Sequence, residues 1–92
     1  MTVDELYRII VERKRNAPAD SYVASLFQQG NDRIAQKVGE EAVEVVIAAK
    51  NDNKETIISE SADLFFHHLI LLAAHNVTFD EVMRELDRRH RS

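Results

Sequence analysis

The chain has 92 residues, 45% hydrophobic and 30% charged, with a formal charge of -4; this excludes disorder and disfavours nonspecific nucleic-acid binding, which needs excess Lys and Arg. It has no cysteine, which excludes disulfides, thiolate chemistry and cysteine-held zinc or iron-sulfur centres, and fits a reducing cytoplasm. At this size folding buries only about 60 to 70% of the surface, so residues 1–92 are expected to form one domain that gains from a partner.

Only two glycines and one proline punctuate the chain, and nothing alternates long enough for a strand, so the expected fold is all-α with five helices. The N-terminus, with Asp4 and Glu5 ahead of its first apolar run, does not read as a signal peptide. The first helix runs from Val3 to about Arg15, with Leu6, Tyr7, Ile9 and Ile10 at helical spacing, and Pro18 stops it. Asp20 or Ser21 caps a short second helix to about Gln28, closed by Gly30.

A long third helix starts at Asn31 or Asp32 and reaches about Lys50, and Asn51 to Asn53 make the turn into a fourth from about Lys54 to His75. Its most apolar run, Leu64 to Ala74, is broken by His67 and His68 and falls short of the roughly 20 residues a membrane span needs. A soluble, cytoplasmic protein without membrane or nucleic-acid partners is expected. Thr78 caps a fifth helix, Glu81 completes a capping box, and Phe79, Val82, Met83 and Leu86 supply its buried stripe. The tail from Arg88 to Ser92 is expected to fray.

The third and fourth helices carry acids among apolar residues. At about 100° per residue, Lys37, Glu40, Glu41 and Glu44 share an arc of about 100°, flanked by Ile34, Val38, Ala42, Val45, Val46 and Ala49 on one side and by Val43 and Ile47 on the other. Glutamates on a helix ordinarily mark a solvated face, and Lys37 can simply balance Glu41. Yet Glu40 and Glu44 repel each other at i,i+4. On the fourth helix Glu60, Asp63 and His67 fall within about 60° of one another on an otherwise apolar wheel, and such a helix is expected to be buried. Buried carboxylates need partners or a cation. Packed antiparallel, the two helices would gather four or five carboxylates in one cleft, an oxygen-only site suited to magnesium, with manganese as a second choice.

The spacing Glu40-Glu41-x-x-Glu44 followed by Glu60-x-x-Asp63 resembles the signature of MazG-type all-α nucleoside triphosphate pyrophosphohydrolases. The stretches ERKRNAPADSYVASLF, Gly30, IAQKVGEEAVEVVIAAK and ESADLFFHHLILL are similar to one branch, the phosphoribosyl-ATP pyrophosphohydrolases of histidine biosynthesis. The resemblance implies magnesium-dependent hydrolysis of 1-(5-phosphoribosyl)-ATP to the AMP form and pyrophosphate. It implies Glu41, Glu44, Glu60 and Asp63 as metal ligands and Glu40 as the group that handles the attacking water, a task Glu41 or Glu44 can share. Lys37, Arg13 and Lys14 become candidate phosphate contacts, and Ser21 and Tyr22 candidate lining. For an arbitrary helix end the basic run would only favour the dipole, and Ser21 and Tyr22 would be a cap and a packed ring. His67 is expected behind the ligands, bonded to a carboxylate; His68 reads as packing or interface, and His75 carries no role. With no fused cyclohydrolase domain, the next step is expected to fall to a separate protein.

A di-iron site would want Glu-x-x-His pairs, and neither Glu41 nor Glu60 has a histidine three residues on. A sibling enzyme acting on another nucleoside triphosphate shares the metal chemistry and differs in base and ribose contacts. A noncatalytic dimerisation module explains the apolar helices and leaves the acids without purpose. Five short helices cannot cover the fourth on every side, so a homodimer with a four-helix bundle core is expected.

Overall fold

The computed structural model describes residues 1–91. Its five helices are α1 (Val3–Asn16), α2 (Tyr22–Gln29), α3 (Asn31–Lys50), α4 (Lys54–Ala74) and α5 (Phe79–Arg89), with no strand among the described residues. Thr2, Ser21, Asn53 and Thr78 cap α1, α2, α4 and α5 by accepting a backbone N–H three residues on. Gly30 joins α2 to α3 at φ 99°, a conformation that side chains rarely tolerate. Where the other turns need positive φ, Asp52 and Asn76 supply it at 53° and 58°, residue types that accept the left-handed region. Ala17, at φ 45° just before Pro18, ends α1 the same way.

α3 and α4 form an antiparallel hairpin, the most extensive packing in the molecule. Its two ends differ. At the end away from the Asn51–Asn53 turn, Ile34 of α3 and Leu69 and Ile70 of α4 meet Ile10 of α1 and Leu26 of α2 in the fully buried core. Toward the turn the hairpin is bare, with Val43 57% and Ile58 60% accessible and Val46 and Ile47 also exposed. Two bonds secure the covered end. The Tyr7 hydroxyl donates to the Val77 carbonyl at 2.7 Å, and Lys14 Nζ donates to the Ala73 carbonyl at 2.9 Å near the α4 C-terminus.

Several boundaries move slightly from the sequence reading. α1 ends at Asn16 and α2 at Gln29, Ser21 rather than Asp20 is the α2 cap, and His75 caps α4 rather than belonging to it. Arg88 and Arg89 do not fray: both are helical and paired to Glu85, while Arg91 pairs with Asp87. Ser92 lies outside the described residues. The α5 stripe is not buried as expected, since Met83 and Leu86 stay more than a third exposed. On α3, Val46 and Ala49 also lie in the open, because α4 covers the sector around Ile34, Glu41 and Ala48 instead. α4 itself is long and apolar enough to cross a bilayer by length and composition, longer than the Leu64 to Ala74 run suggests. Its second half is the central core helix, contributing Leu69, Ile70, Leu72 and Ala73.

The capping box at Thr78 is complete: Thr78 accepts the Glu81 N–H at 3.1 Å and the Glu81 carboxylate accepts the Thr78 N–H at 2.9 Å. With no fully buried residue on α5, local bonding carries much of its order. Thr78→Ala is expected to cost about 1 kcal/mol, read as a melting temperature lower by about 4–8 °C.

Candidate metal centre

The hairpin brings Glu41 of α3 against Glu60 and Asp63 of α4, with one carboxylate oxygen from each lying within 4.8 Å of the other two. Glu60 and Asp63, three residues apart, share a face of α4, and the antiparallel packing sets Glu41 opposite them. These acids stand midway along the hairpin, where the covered half gives way to the bare half. Glu41 and Glu60 are half-buried and Asp63 is exposed.

The electrostatics agree with the geometry. Glu60 is held above the ordinary carboxylate value of 4.5 by its desolvation first, then by the charges of Asp63, Glu44 and Glu41. Glu60 thus feels the other three predicted ligands, while the converging triangle itself is Glu41, Glu60 and Asp63. Lys37 supplies the nearest compensation. Its ammonium lies 3.3 Å from Glu41 and 3.8 Å from Glu40, so it does balance Glu41.

Glu40 is placed differently from the other acids. It points to the rim, where Arg33 approaches to 3.6 Å and the Gln36 amide donates to it at 3.3 Å. The sequence reading missed Arg33; its signal was present, since seven residues make two turns and set Arg33 on the Glu40 face.

His67 is 6% accessible. Its Nδ1 lies 2.7 Å from the backbone carbonyl of Asp63, and its Nε2 lies 2.7 Å from the Tyr22 hydroxyl. The bond expected to a carboxylate is instead made to the main chain of Asp63, one of the expected ligands. Tyr22, half exposed at the start of α2, enters the neighbourhood through this histidine. Ser21 spends its hydroxyl on the Ala24 N–H at 3.1 Å. His68 is exposed on α4.

Lys14 is not brought to the acids. Beside the Ala73 carbonyl its ammonium lies 3.5 Å from Asn76 Oδ1 and 5.6 Å from the Phe27 ring centre, and Ala73 stands ten residues, about 15 Å of helix, beyond Asp63. The N–H-poor end of α4 offers carbonyls that a cation satisfies; long-range packing, which spacing does not encode, chose this partner. Arg13, one residue earlier, is half-buried on α1.

The donor set fits a hard divalent cation. The converging atoms are all carboxylate oxygens, the chain has no thiolate, and both nitrogens of the one nearby imidazole are engaged. Carboxylates gathered this closely repel one another unless neutralised, and oxygen ligands select magnesium or manganese over softer metals.

Comparison with known proteins agrees. The family model described as phosphoribosyl-ATP pyrophosphohydrolase matches residues 3–90. Proteins named phosphoribosyl-ATP pyrophosphatase are similar to the chain over nearly its whole length. One from Methanosarcina barkeri is 48% identical, covering 98% of this chain and 88% of its own. One from Saccharolobus solfataricus is 47% identical, covering 97% and 95%, and one from Methanocella arvoryzae is 44% identical, covering 97% and 96%.

Proposed function

The chain belongs to the phosphoribosyl-ATP pyrophosphohydrolase family, and from that premise we propose that it hydrolyses 1-(5-phosphoribosyl)-ATP to 1-(5-phosphoribosyl)-AMP and pyrophosphate, as a cytoplasmic step of histidine biosynthesis. The observation that carries this reading is the convergence of Glu41, Glu60 and Asp63 from two helices. Glu41, Glu44, Glu60 and Asp63 are the residues to hold magnesium, or manganese in its place. When bound, the cation neutralises triphosphate charge and favours departure of pyrophosphate.

The chain's own groups do the rest. Glu40, outside the triangle of converging acids, orients the attacking water and accepts its proton as the water oxygen bonds to the α-phosphorus. The bond from that phosphorus to the bridging oxygen breaks, and pyrophosphate leaves with the electron pair. Lys37 stands beside both Glu40 and Glu41, where its ammonium meets phosphate oxygens. Arg13, Ser21 and Tyr22 are assigned to the ribosyl end of the substrate, while Lys14 serves the end of α4. The bare half of the hairpin supports a homodimer in which α3 and α4 of both chains form a four-helix bundle.

The test offers phosphoribosyl-ATP and a panel of ordinary nucleoside triphosphates with magnesium and follows pyrophosphate release. Preference for phosphoribosyl-ATP is expected. Preference for an ordinary triphosphate would refute the substrate while sparing the metal site.

A further inference from the structure

α2 packs mainly on α1 and α3 and touches α4 little, yet its first residue is bonded to the helix that carries Glu60 and Asp63. The tie is the Tyr22 hydroxyl on His67 Nε2 at 2.7 Å. The histidine ring is buried, and Tyr22 and Phe66 meet it edge-on at 5.7 and 5.5 Å. Its protonation pattern follows from its partners. The Asp63 carbonyl can only accept, so Nδ1 carries the proton, and an Nε2 left without one accepts from the tyrosine hydroxyl. Two hydrogen bonds in series therefore run from the main chain of Asp63, through a ring that packing holds still, to the first turn of α2. That turn is itself fixed, because Ser21 caps it.

We propose that His67 is a positioning residue for the reaction: acting through Tyr22, it registers the first turn of α2 against the turn of α4 that bears Asp63. Substrate contacts on α2 are thereby held at a set distance from the acids. His67 touches neither substrate nor reacting atoms in this scheme, and a buried ring with both nitrogens satisfied has one orientation available. The proposal rests on the phosphoribosyl-ATP reading above, and its consequence is kinetic: loosening the tie weakens substrate binding more than it slows the chemical step.

Tyr22→Phe keeps the ring and removes the hydroxyl, and His67→Asn retains an amide donor for the Asp63 carbonyl while losing the reach to Tyr22. In each, KM for phosphoribosyl-ATP is expected to rise about tenfold, the effect of one partly buried hydrogen bond unmade, with kcat within about threefold. The double variant is expected to be no worse than the poorer single variant, as for two residues acting through one bond. Nitrogen-15 spectra of the imidazole should show Nδ1 protonated and Nε2 accepting, with the Nε2 resonance moving in Tyr22→Phe. An unchanged KM in Tyr22→Phe, multiplying effects in the double variant, or a ring protonated on Nε2 alone would each overturn the proposal. Silence of the wild-type chain toward phosphoribosyl-ATP would refute the substrate assignment instead; the spectra test the bonded pair in either case.

Discussion

Glu60→Gln is expected to lower kcat/KM for phosphoribosyl-ATP by roughly 10³-fold and at the same time to raise the melting temperature of the metal-free protein by a few degrees. The two effects have one cause. Glu60 is desolvated and faces Asp63, Glu44 and Glu41, so its charge opposes folding until a cation offsets it. Glutamine keeps the shape, removes the charge and ligates weakly. A variant that lost activity and also lost metal-free stability would show Glu60 to be structural. One that kept activity would remove it from the proposed ligand set.

The sign carries over to pH. Because Glu60's folded-state pKa is raised, its proton is held more tightly folded than unfolded. Its contribution to stability is full below about 4.5, the unfolded value, and is lost as pH rises through the higher folded value. Glu81 and Glu85 behave oppositely. The Thr78 backbone and hydroxyl bonds lower Glu81, and Arg88 then Arg89 lower Glu85, so their contribution is present above 4.5 and lost as pH falls through their folded values. Metal-free wild type should therefore gain stability as pH drops from neutral toward about 4.5 and lose it below. Glu60→Gln should flatten only the upper arm. Thermal melts in chelator across this range make the comparison, and an unchanged upper arm would contradict the assignment to Glu60.

Val43→Glu together with Ile47→Glu is expected to convert a dimer of twice the 10.6 kDa chain mass into monomer, with activity falling alongside. In the isolated chain Val43, Val46, Ile47, Ile58 and Phe65 present apolar surface to water. Each is about half exposed, so burying the remainder is worth roughly half of the 1.5–3 kcal/mol of a full side chain, about 4–8 kcal/mol for the five, against an association cost that starts at about 4 kcal/mol. Two carboxylates on that face would need burial without partners. Light scattering at micromolar concentration is the measurement. A monomeric wild type would end the four-helix-bundle proposal, and a dimeric double variant would move the interface elsewhere, for instance to α5 with its exposed Met83 and Leu86.

The helices were legible because capping residues and turn formers are local signals. Thr2, Ser21, Asn53 and Thr78 stand where helices begin, and Gly30, Asp52 and Asn76 stand where positive φ is required. The meeting of Glu41 with Glu60 and Asp63 was legible too, since a three-residue turn leaves two long helices little choice but to pack antiparallel. What the sequence left open were side-chain partners between distant segments. A lysine at the end of α1 reads as a dipole partner or, beside the family likeness, as a phosphate contact; only tertiary packing put it on Ala73, 59 residues away. His67 was recognisable as a buried polar residue on the acidic face, but its bonds to Tyr22 and to a main-chain carbonyl depend on where α2 comes to rest. The exposed half of the hairpin agrees with the expectation that five short helices cannot cover the fourth on every side; an apolar wheel announces burial without saying where the cover comes from.

The uneven hairpin also bears on how the molecule comes apart. The end held by Ile10, Leu26, Ile34, Leu69 and Ile70 is anchored by contacts within one chain, whereas the end near Asn51–Asn53 has few, so local opening begins there. The acids stand between the covered half of the hairpin and the exposed half. Repulsion among them favours parting of the helices, and a bridging cation would oppose it. A cation held by these carboxylates would act as a clasp, linking occupancy of the candidate centre to the order of the half of the hairpin that carries the exposed Val43, Ile47 and Ile58.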